Sequence, residues 1–68
     1  MVKTLDLNIA ITKNQTTKRN LAKKLGISEQ SFYNKANNVV EFKASEVAKL
    51  KKELKLTDKE CLRIFFNQ

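Results

Sequence analysis

Gly26 is the only glycine in this chain of 68 residues, and there is no proline. Glycine reaches positive φ without steric cost, and proline presets φ, so these two residues supply most tight turns. A sandwich or barrel of short strands needs such turns every few residues. A chain without them is built from helices joined by short loops. The hydrophobic fraction of 41% and charged fraction of 31% fit neither a disordered segment nor a linker. The length allows one small domain, residues 1–68. At this size only about 60% of the unfolded surface is buried, so every apolar residue counts.

Apolar spacing places the helices. Leu5, Leu7, Ile9 and Ile11 alternate like a strand, but they also pair at four-residue intervals. No other segment offers a strand partner, and a lone strand is unstable, so a helix is predicted over residues 4–13. Thr16 or Thr17 is placed to cap a second helix, in which Leu21, Ala22 and Leu25 share one face. Gly26 ends it in the left-handed conformation, and Ile27 plugs the turn. Ser28 caps a third helix over residues 29–36, with Phe32 and Ala36 buried, and Asn37 and Asn38 end it. Phe42, in the loop 39–43, is expected to tuck into the core. A fourth helix over 44–54 buries Val47, Leu50 and Leu54. Thr57 to Glu60 has capping-box spacing and opens a fifth helix over 58–66, with Leu62, Phe65 and Phe66 on one side and Ile64 off it. The expected fold is all-α, a small five-helix bundle.

The chemistry is bounded as firmly. There is no histidine, and Cys61 is the only cysteine. Zinc sites of Cys and His, His-dependent triads and an internal disulfide are excluded. One glycine cannot build a Gly-rich phosphate loop. No enzyme activity, cofactor, metal or small-molecule substrate is expected. Cys61 beside Leu62 is read as a small buried hydrophobe. One unpaired cysteine fits a reducing setting. With no signal peptide and no run of about 18 apolar residues, the expected location is the cytoplasm, with no membrane partner.

The net charge of +7 points to nucleic acid or another polyanion; a solvated surface is the plain alternative. The charge is uneven. Residues 12–27 carry Lys13, Lys18, Arg19, Lys23 and Lys24 with no acid. Residues 28–42 carry only Glu29, Lys35 and Glu41, and residues 43–55 are basic again. Two basic segments therefore flank a nearly neutral one, a layout suited to phosphate contacts on either side of a polar reading surface.

The stretch Lys18 to Asn37, KRNLAKKLGISEQSFYNKAN, sets two short helices around a tight turn. Ala22 is small where the second helix crosses, Gly26 makes the turn, and Phe32 locks the pair. This spacing, over about residues 17–37, fits a helix-turn-helix; a plain αα-hairpin is the alternative. LAKKLGISEQSFYNKANN resembles the helix-turn-helix of the phage Cro and repressor family. With Phe42, Glu46-Val47, Leu54-Lys55-Leu56-Thr57 and Phe65-Phe66, residues 7–66 resemble short Cro-like regulators of temperate phages of Gram-positive bacteria. Closest are the modulator-of-repression, or antirepressor, proteins. That resemblance implies a role in the lysis/lysogeny switch within a bacterial host. The partner it implies is the cognate phage repressor, whose DNA binding would be blocked or redirected. Operator DNA, bound directly as a Cro-type repressor does or jointly with the repressor, is the alternative. Relatives often carry an apolar residue three after Phe32; here it is Lys35, and Ala36 is expected to take over part of that packing.

The candidate contacts follow. On the third helix, Ser28, Glu29, Gln30, Tyr33, Asn34 and Asn37 would meet bases or a protein partner. Lys13, Thr17, Lys18, Arg19, Lys35 and Lys43 would meet phosphate or an acidic partner. Glu29 and Lys35 would leave the third helix's exposed face neutral, without the arginine that most often contacts guanine. Phe65 and Phe66 either complete the core or form a self-association surface.

Overall fold

Helical periodicity decides the architecture. The computed structural model describes residues 1–66. These form five helices, with no strand among the described residues: α1 (Thr4–Lys13), α2 (Lys18–Leu25), α3 (Glu29–Ala36), α4 (Ala44–Glu53) and α5 (Asp58–Phe66). The all-α bundle expected from the sequence is the fold observed. The ambiguous N-terminal stretch is helical: Leu7, Ala10 and Ile11 are buried, while Leu5 and Ile9 face outward. Helix α4 stops one residue earlier than its apolar spacing predicts, with Leu54 at the C-cap and still buried.

Side-chain caps start three helices. Thr17 Oγ1 accepts from the Asn20 N–H at 3.1 Å, and Ser28 Oγ accepts from the Ser31 N–H at 3.0 Å. Thr57 and Glu60 form the full reciprocal box: Thr57 Oγ1 accepts from the Glu60 N–H at 3.1 Å, and Glu60 Oε1 accepts from the Thr57 N–H at 2.9 Å. Each satisfies backbone donors that a helix N-terminus leaves unpaired.

The first four helices all end alike. Gln15, Gly26, Asn38 and Lys55 have φ of 55°, 73°, 67° and 53°. The next residue's N–H then returns to a carbonyl five positions back: Thr16 to Ile11, Ile27 to Ala22, Val39 to Asn34 and Leu56 to Lys51. This is the Schellman closure. Only one of the four is built on glycine, so three L-residues carry a left-handed backbone that normally disfavours a Cβ.

The core draws on every helix. Leu7, Leu21, Phe32, Leu50, Leu54 and Ile64 are its most enclosed large side chains. Phe42 reaches in from the loop after α3 as expected. Its ring stands edge-on to Phe32 and to Phe65, each at 5.6 Å between centroids, the geometry aromatic quadrupoles favour. Helix α5 presents a different face from the one predicted. Cys61, Ile64 and Phe65 are buried, at i, i+3 and i+4, while Leu62 and Phe66 are exposed. The Lys3 N–H donates to the Ile64 carbonyl at 2.8 Å, which holds that turn of α5 against the chain's beginning. Cys61 is the buried thiol expected, and burial pushes its pKa up.

Two asparagines fasten the ends. Asn38 Oδ1 accepts from the Val2 N–H at 2.7 Å and its Nδ2 donates to the Val2 carbonyl at 3.0 Å. Thr4 Oγ1 donates to the Ala36 carbonyl at 2.6 Å, so the N-terminal residues clasp the end of α3. Asn14 Nδ2 donates to the Ala10 and Leu54 carbonyls, tying the end of α1 to the end of α4. None of the described helices is long and apolar enough to cross a membrane.

Candidate functional site

Helices α2 and α3 meet across the Gly26 turn, and their packing fixes what faces outward. Leu21, Ala22 and Leu25 of α2 and Phe32 and Ala36 of α3 are turned into the core. Several of the positions between them face outward. Ser28, Glu29, Gln30, Tyr33 and Asn37 are exposed, and Asn34 is half-buried.

These side chains are organised in pairs one helical turn apart. The Tyr33 hydroxyl donates to Glu29 Oε2 at 3.4 Å, and Gln30 Nε2 donates to Asn34 Oδ1 at 3.1 Å. Lys18, at the first position of α2, holds its ammonium 5.0 Å from the centre of the Tyr33 ring. That distance suits a cation–π contact and couples the two helices at the surface. Ser28 is partly committed: besides capping α3, its hydroxyl donates to Ser31 Oγ at 3.0 Å.

The basic candidates divide. Arg19 is exposed on the first turn of α2, and Thr17 uses its hydroxyl as the α2 cap. Lys43 is exposed just ahead of α4. Lys13 lines a cleft between α1 and α5, along with Asp6, Glu60 and Arg63. The Glu60 carboxyl there is held below its ordinary value by the Thr57 backbone N–H and side chain, with smaller contributions from Lys13 and Arg63.

Lys35 corrects the sequence reading. It does not lie on the exposed face of α3. Its ammonium lies 2.7 Å from both carboxylate oxygens of Glu46, and both residues are buried. The cause is its position: three residues after Phe32, it falls on the inward side of α3, where a lone charge is costly and an opposite charge must meet it. Glu46 supplies that charge from the first turn of α4, and its Oε1 also accepts from the Lys43 N–H at 2.8 Å. Burial alone would raise the Glu46 pKa. The hydrogen bonds from Lys35 and the Lys43 N–H, with the two lysine charges, outweigh burial and hold it below its ordinary value. Composition gave no sign that Glu46 shapes this face; its place beside Val47 on the inward side of α4 was the available signal.

The result is a polar face on α3 with Glu29 as its only charge, edged by Lys18 of α2. Among the described residues Glu29 has no ion-pair partner. The self-association pair also divides: Phe65 is buried against Phe42, and only Phe66 reaches the surface, beside Met1 and Val40 at the rim of an apolar groove.

The chain belongs to the family described as "Protein of unknown function (DUF739)", whose model matches residues 4–68. No curated protein and no solved structure matches it.

Proposed function

We propose that this family member is a helix-turn-helix regulator of a temperate-phage lysis/lysogeny switch, acting as an antirepressor. Helices α2 and α3 form the motif. The exposed face of α3 binds the cognate phage repressor and blocks or redirects its DNA binding in the host cytoplasm. The observation that carries this reading is the charge of that face. With Lys35 sealed against Glu46, the only charge left on it is Glu29. A DNA-reading surface is basic and meets phosphates. A face with one carboxylate, a tyrosine and three amides is the complement of such a surface, not a copy of it. The sequence resemblance to modulator-of-repression proteins points the same way.

A second reading, a Cro-type repressor that binds operator DNA itself, is favoured by one specific feature: residues 12–27 hold five cations and no acid. Fluorescence anisotropy separates the two. Labelled duplexes from the phage switch region and a scrambled duplex are titrated with the protein, alone and with the phage's repressor. The antirepressor reading expects weak, sequence-blind binding by the protein alone and a stoichiometric change in the repressor's operator binding. Operator binding by the protein alone, at least ~10³-fold tighter than to the scrambled duplex, establishes the Cro-type reading instead.

A further inference from the structure

We infer that Glu29 and Tyr33 form a seat for an arginine side chain of the protein partner. The proposal rests on the antirepressor reading and names the chemistry of the contact. Three observations converge on it. Glu29 is an exposed carboxylate without an ion-pair partner among the described residues, on a chain of net charge +7. Among the described residues its side chain has one hydrogen bond, accepted from the Tyr33 hydroxyl at 3.4 Å, longer than the 2.5–3.0 Å of a well-made O–H···O bond. An ionised carboxylate has about four acceptor positions, so most of its capacity is unspent. Beside it, one turn along α3, the Tyr33 ring is at the surface, 37% exposed.

A carboxylate next to an exposed aromatic ring favours a flat cation over a compact one. A guanidinium can fork both carboxylate oxygens and lie over a ring with the same group. An ammonium offers a point charge and cannot do both in one plane. Lys18 already holds one position over the ring at 5.0 Å and does not reach Glu29. Arginine is also the side chain DNA-reading faces use most often, toward guanine. A repressor arginine seated here is withdrawn from its base, so the contact that holds the partner is the contact that removes it from DNA.

The test is a double-mutant cycle with the phage's repressor. On this chain the variants are Glu29→Gln and Tyr33→Phe. On the repressor, each arginine of the DNA-reading face is changed to glutamine and to lysine in turn. Binding is read by calorimetry, and circular dichroism melts verify that every variant is folded. Glu29→Gln is expected to weaken binding at least about tenfold. For one arginine the loss does not grow further when both partners are changed, and lysine at that position does not restore binding. Wild-type affinity in Glu29→Gln, or losses that multiply with every arginine, overturns the arginine seat while leaving repressor capture standing. A wild-type chain that does not bind the repressor overturns both.

Discussion

The Lys35 ammonium sits between both carboxylate oxygens of Glu46, 2.7 Å from each, and this buried pair joins the last turn of α3 to the first turn of α4. Removing one member leaves the other charged and enclosed. Lys35→Met or Glu46→Leu alone is expected to cost about 3 kcal/mol in urea denaturation. The double replacement Lys35→Met/Glu46→Leu is expected to lie within about 1 kcal/mol of wild type, because an apolar pair needs no compensation. Single and double variants of equal stability would show that the pair is solvated. The pH dependence carries the same sign. The Glu46 pKa is lowered on folding, so its contribution is complete above the unfolded glutamate value of about 4.3. It is lost as pH falls through the lower native value. As pH falls below about 4.3 the wild type should therefore lose more stability than the double variant.

Phe65 and Phe66 are adjacent in sequence and opposite in role. Phe65 closes the aromatic series with Phe42 and Phe32, whereas Phe66 is 52% exposed. Phe65→Ala should cost about 3 kcal/mol or more, a large share of the roughly 3–10 kcal/mol expected for a chain this size. Phe66→Ala should shift the melting temperature little. Equal shifts in thermal denaturation would place both rings in the core.

The helices were legible because their signals are local. The threonine and serine caps, the Gly26 turn and the spacing of Leu21, Ala22, Leu25 and Phe32 each operate within one or two turns. The phase of α5 was not legible. Cys61, Leu62, Ile64, Phe65 and Phe66 make the helix apolar on two sides, and only packing against α1, α4 and Phe42 selects one. Lys35 failed for another reason. Its partner is eleven positions away across a loop, and a lysine on a helix is ordinarily solvated. Of the α3 face, Glu29, Gln30 and Tyr33 stand exposed where the sequence put them; the charge balance of that face changed with Lys35.

The left-handed helix ends give a prediction with opposite signs at different sites. Gly26 has φ of 73°, and a Cβ added there would touch nothing within 4 Å. Gly26→Ala is therefore strained by backbone conformation alone and should cost about 1 kcal/mol. Gln15 and Lys55 occupy the same backbone region with a Cβ. Gln15→Gly and Lys55→Gly should each gain about 0.5 kcal/mol, the relief of strain exceeding the added freedom of the unfolded chain. Chemical denaturation of the three variants checks this; a loss of stability on either glycine replacement would mean that those turns relax in solution.

The burial of Lys35 also predicts which lysines and arginines DNA can feel. Each phosphate contact adds about 0.9 to the slope of log affinity against log salt on duplex DNA. Arg19 is exposed at the start of α2, so Arg19→Ala should lower the slope of non-specific binding by about that amount if its cation meets a phosphate. The Lys35→Met/Glu46→Leu variant should leave the slope unchanged, although it removes a lysine from the last turn of α3. The measurement is anisotropy on the scrambled duplex across a salt series. A reduced slope in the double variant would mean that Lys35 leaves Glu46 for phosphate on binding. The face of α3 would then be neutral in the bound state, and the case for a protein partner over operator DNA would lose its main support.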